Sequence, residues 1–344
     1  MGTRLFSMIT QIQKITPESL KKAKELIESE KLVAFPTETV YGLGALATSE
    51  KAIKEVYRVK GRPSDNPLIV HVHKDYDIYT LVEESPLGYA KKIADAFLPG
   101  PLTMVYNSKQ TVAPSLSCGL KTLAIRIPKS KEAQEFLRFV NRPIAAPSAN
   151  ISKHISPVTA QHVYEDFKGA IPLILDGGKC EGGIESTVLD VTGEIPVILR
   201  KGLITAEMIK EVVGACVYAE ETAGEKVKSP GMKYSHYTPN CQTYLLERDE
   251  IQKGIEIYEE YQKQGKQAVF LTDGQMASLL ADRRILLLGD TDEQMASNLY
   301  DLLHEGEKYD CIITFKLLLN SELMLSVNNR FSKAFYKSQN GDKK

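Results

Sequence analysis

The apolar residues of this chain come in short runs, separated by amphipathic stretches that open on helix-capping residues, and this alternation restricts the fold to layered α/β architecture. Leu32–Phe35, Pro67–Val72, Leu102–Tyr106, Thr122–Ile127 and Ile144–Ala146 read as buried strands. Between them, residues 17–29 form an amphipathic helix with Thr16 as N-cap and Pro17 at its first position, and Ser49 opens a second helix running to about Val59. A helix over Leu87–Phe97 stops at Pro99-Gly100-Pro101, and another covers Lys131–Val140. Ser156-Pro157 caps a helix over about Val158–Phe167. Strands at Leu173–Leu175, Thr187–Val191 and Val197–Leu199 then precede a helix from Thr205 to Val213. Early alternation that turns strand-rich predicts a large twisted mixed sheet.

Residues 219–240 interrupt this order with a polar run poor in aliphatics and broken by Pro230, Gly231 and Pro239, the composition of a linker. Strand near Tyr244–Leu246, helix 249–263, strand 268–271, helix 275–282, strand 285–288, helix 292–305, strand 311–315 and helix 321–335 follow, the βα order of a small Rossmann-like parallel sheet. With 344 residues, two domains are expected: 1–215, a linker 216–240 folding over the site, and 241–344. No stretch approaches the roughly 18 uncharged apolar residues of a membrane helix, and Met1–Lys14 lacks the apolar centre of a secretory signal. Five scattered cysteines, with no Cys-x-x-Cys, argue against a disulfide framework and a structural zinc site. A soluble cytoplasmic protein is expected. The net charge of −1 lacks the basic footprint of a nucleic-acid binder.

Chemistry-bearing residues gather in the loops of the first part. In PTETVYGLGA (36–45), a connection from strand to helix, Gly42 and Gly44 let backbone approach a ligand while Thr37, Thr39 and Tyr41 offer hydroxyls. Arg58, at a helix C-terminus, is ordinarily a macrodipole complement. Lys60 and Arg62 lie in the turn beyond it, where two cations can converge on phosphate oxygens. His71 ends an apolar strand, where a satisfied core histidine is the ordinary outcome. Arg126 interrupts an apolar strand and needs a carboxylate, either a protein Asp or Glu or a ligand's own. APSANISKHISP (146–157) crowds Ser148, Asn150, Ser152, Lys153, His154 and Ser156 after a strand. Ser186 begins a strand after the glycines of DGGKCEGGIE, and Arg200 ends one. Lys233, Tyr234, His236 and Tyr237 give the linker more rings than a tether needs. GxGxxG, GxxxxGK[ST], GxSxG and HExxH are all absent. Cations and hydroxyls on loops suit phosphate chemistry done by positioning and charge neutralisation.

FPTETVYGLGA (35–45), KGRPSDNPLIVHV (60–72), GPLTMV (100–105), AIRIP (124–128), APSANIS (146–152), GIESTVLDV (183–191) and ILRKG (198–202) together resemble the YrdC-type threonylcarbamoyl-AMP synthases. SPGMKYSHYTP (229–239) before a small α/β domain resembles the long form of that family. The resemblance implies that L-threonine, bicarbonate and ATP give L-threonylcarbamoyladenylate and pyrophosphate, for threonylcarbamoyl-adenosine modification of tRNA. It implies that Thr39, His71, Arg126, Ala146 and Ser186 line the threonine site, with Arg126 holding the carboxylate. Arg62, Asn66, Thr122, Ser148, Asn150, Ser156 and Arg200 would contact ATP, and Tyr234 or His236 would close over it. Lys60 and Arg62 would be the catalytic cations, with Mg²⁺ on the phosphates and no metal held by the protein. Partners implied are a downstream tRNA threonylcarbamoyl transferase complex and, more weakly, RNA, with no membrane. An RNA-binding module without adenylate chemistry is the alternative, disfavoured by the near-neutral charge. Lys60→Ala and Arg62→Ala are both expected to fold while losing threonine-dependent pyrophosphate release.

Overall fold

Short β-branched and aliphatic runs pair here across long stretches of chain, as a computed structural model shows for residues 8–85, 87–219, 237–280 and 282–335. The chain divides into two compact units, residues 1–152 with 156–233 and residues 153–155 with 234–344. Among the described residues no helix is long and apolar enough to cross a membrane, and all five cysteines are free thiols.

The first unit is built on eleven strands: β1 (Gln11–Lys14), β2 (Val33–Phe35), β3 (Gly42–Leu46), β4 (Ile69–His71), β5 (Leu102–Asn107), β6 (Thr122–Arg126), β7 (Ile144–Ala145), β8 (Leu173–Asp176), β9 (Thr187–Asp190), β10 (Val197–Arg200) and β11 (Val217–Tyr218). They form one mixed sheet in the order β1-β8-β2-β3-β7-β4-β6-β5-β9-β10-β11. The helices are α1 (Pro17–Glu28), α2 (Glu50–Lys60), α3 (Tyr89–Phe97), α4 (Pro114–Ser117), α5 (Lys131–Val140), α6 (Ala160–Phe167) and α7 (Ala206–Val213). Local chemistry starts the main ones: the Thr16, Ser49, Ser130 and Thr205 side chains each accept a backbone N–H of the first turn, worth about 1 kcal/mol apiece. Leu20, Ala23 and Ile27 of α1 and Phe136, Leu137 and Val140 of α5 pack on Val33, Phe35, Ile144, Leu173 and Leu175, so these two helices cover one face of the sheet.

Several elements differ from the sequence reading. Residues 42–46 are not loop: Gly42, Leu43 and Gly44 pair with Phe35, Ala34 and Val33. Polar β1 pairs in parallel with β8, a contact some 160 residues away that no local pattern announces. The helix expected from Val158 starts at Ala160, with Thr159 rather than Ser156 as its cap. Val217–Tyr218, inside the stretch expected as linker, pairs in parallel with β10; residues 220–236 lie outside the described residues.

The second unit carries a four-stranded parallel sheet, β12 (Gln242–Leu246), β13 (Ala268–Thr272), β14 (Ile285–Leu287) and β15 (Cys311–Phe315), in the order β12-β15-β13-β14. Its helices are α8 (Ile251–Lys263), α9 (Gly274–Ala277), α10 (Asp292–Gly306) and α11 (Glu322–Ala334). The helix expected over 275–282 is the single turn α9. Tyr258, Phe270 and Phe315 stack through this unit's core, with centroids 5.3 and 6.1 Å apart. The expected pairing of a large mixed sheet with a small parallel one is what the chain forms.

Candidate active site

Strand register carries a polar row across one face of the large sheet. His71 on β4 pairs with Arg126 on β6, Arg126 with Thr103 on β5, Thr103 with Val188 on β9, and Val188 with Arg200 on β10. Directly paired residues project to the same face, so four polar side chains line up beside the apolar cluster of Val105, Val188 and Leu199. His71, Arg126, Thr103 and Ser186 are all buried.

The open question of Arg126's partner is decided by Glu38. An Arg126 Nη2–H donates to Glu38 Oε1 at 2.9 Å. Glu38 Oε2 accepts the backbone N–H of Lys129 at 3.0 Å, where α5 begins, and that helix start favours a carboxylate. Arg126 Nε–H is buried with no hydrogen-bond partner among the described residues. One protein carboxylate therefore aims the guanidinium without exhausting its five donors. On the other side of the row, Arg200 donates twice to the Ser186 carbonyl, at 2.9 and 3.1 Å, and once to its hydroxyl at 3.2 Å. The Ser186 hydroxyl lies 2.8 Å from that of Thr103.

His71 is held neutral. Burial, then the nearby positive charges of Arg126 and Arg200, push its pKa down to about 3. Its Nδ1 lies 3.3 Å from the Ile69 carbonyl, which can only accept, so Nδ1 carries the proton and Nε2 is left an acceptor.

A second group gathers at the other end of the short strand β4. Lys60 is the last residue of α2, not part of the turn beyond it; Gly61, at φ +59°, ends the helix in the left-handed conformation that favours glycine. The Lys60 ammonium is 1% exposed and donates to the Ser148 carbonyl at 2.5 Å and to the Asn150 carbonyl. Burial and then Arg62 lower its pKa well below the usual lysine value. Lys60 thus clamps the 146–156 loop to α2, which argues against the expectation that Lys60→Ala folds unperturbed. Arg62 donates to the Asn66 and Pro67 carbonyls, each at 3.3 Å. Burial foremost, with Arg200 adding repulsion, brings its pKa to about 10. Asn66 is buried, and its Oδ1 has no hydrogen-bond partner among the described residues. Thr122 begins β6, two residues before the Ile69–Ala124 pair, and so falls beside Pro67.

The Ser148 hydroxyl donates to Asn150 Oδ1 at 2.6 Å, and Ser156 donates to Glu185 Oε1 at 2.7 Å. The Ala146 N–H donates to Ile69 at 2.9 Å, and the buried Thr39 hydroxyl lies 2.9 Å from that of Thr37. Arg62 is felt by Lys60, Arg200 by Arg62, and both Arg200 and Arg126 by His71, so the cations form one electrostatic neighbourhood. Tyr234 and His236 lie outside the described residues. Glu38, Glu185 and Thr103 escaped the sequence reading, though each sits inside a singled-out motif, beside Thr39, Ser186 and Leu102. Among the described residues no group of three or more His, Cys, Asp and Glu could hold a metal ion.

A buried arginine with an idle donor beside a neutral histidine, and further cations close by, make a site of the class suited to small anionic ligands. The comparisons with known proteins narrow this. Residues 25–202 match the Sua5/YciO/YrdC model, described as telomere recombination, and residues 204–335 match the model described as threonylcarbamoyl-AMP synthase, C-terminal domain. The threonylcarbamoyl-AMP synthase of Pyrococcus abyssi is 40% identical over 94% of this chain and 95% of its own. That of Bacillus subtilis is 38% identical over 96% and 97%. The crystal structure of P. abyssi Sua5 complexed with L-threonine superposes with a TM-score of 0.84, at 38% identity over 96% of this chain and 98% of that one. The chain belongs to the Sua5/YrdC family of threonylcarbamoyl-AMP synthases, in its two-domain form.

Proposed function

We propose that this chain converts L-threonine, bicarbonate and ATP into L-threonylcarbamoyladenylate and pyrophosphate, the activated precursor for threonylcarbamoyl-adenosine in tRNA. The observation that carries the reading is Arg126, buried beside neutral His71, held by Glu38 on one donor and idle on Nε. A buried donor without an acceptor costs about 1–3 kcal/mol, and an amino acid's carboxylate would relieve that cost. Arg126 is accordingly the proposed carboxylate anchor. His71 Nε2 accepts from the threonine nitrogen, and Thr39, Ala146 and Ser186 complete that subsite.

The nucleotide falls to the second group. Arg62, Asn66, Thr122, Ser148, Asn150, Ser156 and Arg200 are proposed to contact ATP, whose phosphates bring Mg²⁺ as part of the substrate. The threonine amine takes up bicarbonate as a carbamate with loss of water. A carbamate oxygen attacks the α-phosphorus, and the bond to the β-phosphate's bridging oxygen breaks to release pyrophosphate. An anion must approach an anion, so Arg62 and Arg200 serve by offsetting repulsion and stabilising the leaving group. Lys60 supports them by fixing the Ser148–Asn150 carbonyls rather than by reaching a phosphate. The carbamate decomposes in water, which gives exclusion of solvent from the site a physical purpose. A cytoplasmic location and hand-over to a tRNA-modifying transferase complex go with this reading, and β11 moves the end of the first domain beyond the expected residue 215.

Incubation with ATP, Mg²⁺, bicarbonate and each amino acid in turn tests it. Pyrophosphate release with threonine, and a mass matching the adenylate, are the expected results. Release that ignores which amino acid is present, or none at all, would overturn the reading.

A further inference from the structure

The Thr103–Ser186 pair has one proton too many for the protein alone. Each hydroxyl brings one proton, and the 2.8 Å contact between them uses one of the two. The third participant, Arg200 Nη2–H, is also a donor, pointed at the Ser186 oxygen. Whichever hydroxyl donates to the other, one O–H is left without an acceptor among the described residues, in side chains of residues that are 0% and 1% exposed. Thr103 stands directly across the strand pair from Arg126, whose Nε–H is likewise buried and unpartnered. An idle O–H on the Thr103–Ser186 pair and the idle Nε–H of Arg126, on the strand directly across from Thr103, call for a ligand oxygen as acceptor.

We infer that Thr103 is a positioning residue for the amino-acid substrate. Its hydroxyl donates to Ser186 Oγ, which then accepts from both Thr103 and Arg200. The Ser186 proton is thereby directed to a carboxylate or carbamate oxygen held by Arg126. Through Ser186 the same chain reaches Arg200, so occupancy of the amino-acid subsite bears on a cation proposed for the nucleotide. Without Thr103 the Ser186 hydroxyl keeps its place but loses the partner that fixes its rotor.

This inference rests on the proposed reading of the site, and the test separates the two. L-threonine binding to the full-length protein is measured by titration calorimetry for wild type, Thr103→Val, Thr103→Ser, Ser186→Ala and Thr103→Val/Ser186→Ala. Valine matches threonine in shape and puts a methyl in place of the hydroxyl. We expect Thr103→Val to weaken threonine binding about fivefold, the ratio for one ordinary hydrogen bond. Thr103→Ser should lie within about twofold of wild type, and Thr103→Val should add nothing once Ser186 is alanine. A packing role alone would lower the melting temperature without serine rescue or loss of effect in the double variant. Equal threonine affinity in wild type and Thr103→Val, or a full added penalty in the double variant, overturns the inference alone. Wild type that binds no threonine overturns the reading of the site and the inference with it.

Discussion

His71 offers a perturbation whose size follows from its surroundings. The imidazole is 3% exposed, lies edge-on to Phe35 at 6.0 Å, and has its pKa pushed from 6.5 to about 3 by burial, then by Arg126 and Arg200. In the unfolded chain the same ring takes up its proton near pH 6.5. Between these values the unfolded state binds more protons, so stability is complete above about pH 7 and declines as the pH falls through the window. The slope is at most about 1.4 kcal/mol per pH unit, which amounts to about 2 kcal/mol lost by pH 5 and about 5 kcal/mol over the whole interval. His71→Asn places an amide N–H near the Ile69 carbonyl and does not titrate. Urea unfolding of both proteins at pH 7.5 and pH 5, followed through the transition that the substitution displaces, should show the difference between them shrink by about 2 kcal/mol at the lower pH. Carbon-13 NMR of labelled histidine should show a His71 resonance still neutral at pH 5. A resonance titrating near pH 6.5, or unfolding curves that move in parallel, would refute the claim that the ring is buried beside two cations.

Other substitutions separate anchoring from chemistry. Lys60→Met removes the ammonium donor of the Ser148 and Asn150 carbonyls and should lower the melting temperature by roughly 5 °C, equivalent to about 2 kcal/mol in a unit of this size; an unchanged melting curve would deny Lys60 its clamping role. Arg62→Ala, whose side chain makes only two long bonds to carbonyls, should change stability by less than about 1 kcal/mol while cutting pyrophosphate release about 100-fold. Turnover within twofold of wild type would remove Arg62 from the mechanism. Arg126→Met breaks a buried ion pair at a cost of about 3 kcal/mol, the lower end of the usual range because Glu38 keeps its N–H bond from Lys129. It should also abolish threonine binding measured by calorimetry, whereas ATP binding should persist.

The sequence by itself determined whatever depends on neighbours a few residues away. Thr16, Ser49 and Thr205 announce α1, α2 and α7 because a cap and the N–H it accepts lie within one turn. Apolar runs with β-branched residues gave β4, β6 and β9 for the same reason. The motifs also located the chemistry, since a dense set of hydroxyls and cations on loops is visible without a fold. Only the tertiary structure decided which of these groups meet. Gly42–Leu46 has no strand signal of its own and becomes one because Val33–Phe35 lies alongside, and Gln11–Lys14 waits for a partner about 160 residues on. Arg126 called for a carboxylate from the start, yet nothing near it in the chain identified Glu38, 88 residues away. Lys60 and Arg62, two residues apart and similar on paper, part company because one ends a helix under a loop and the other lies beyond the helix cap. Caps and amphipathic faces are short-range and additive, and so legible. Strand register and the burial of charge are set by contacts far apart in sequence, and they determine which cation anchors and which is left to act.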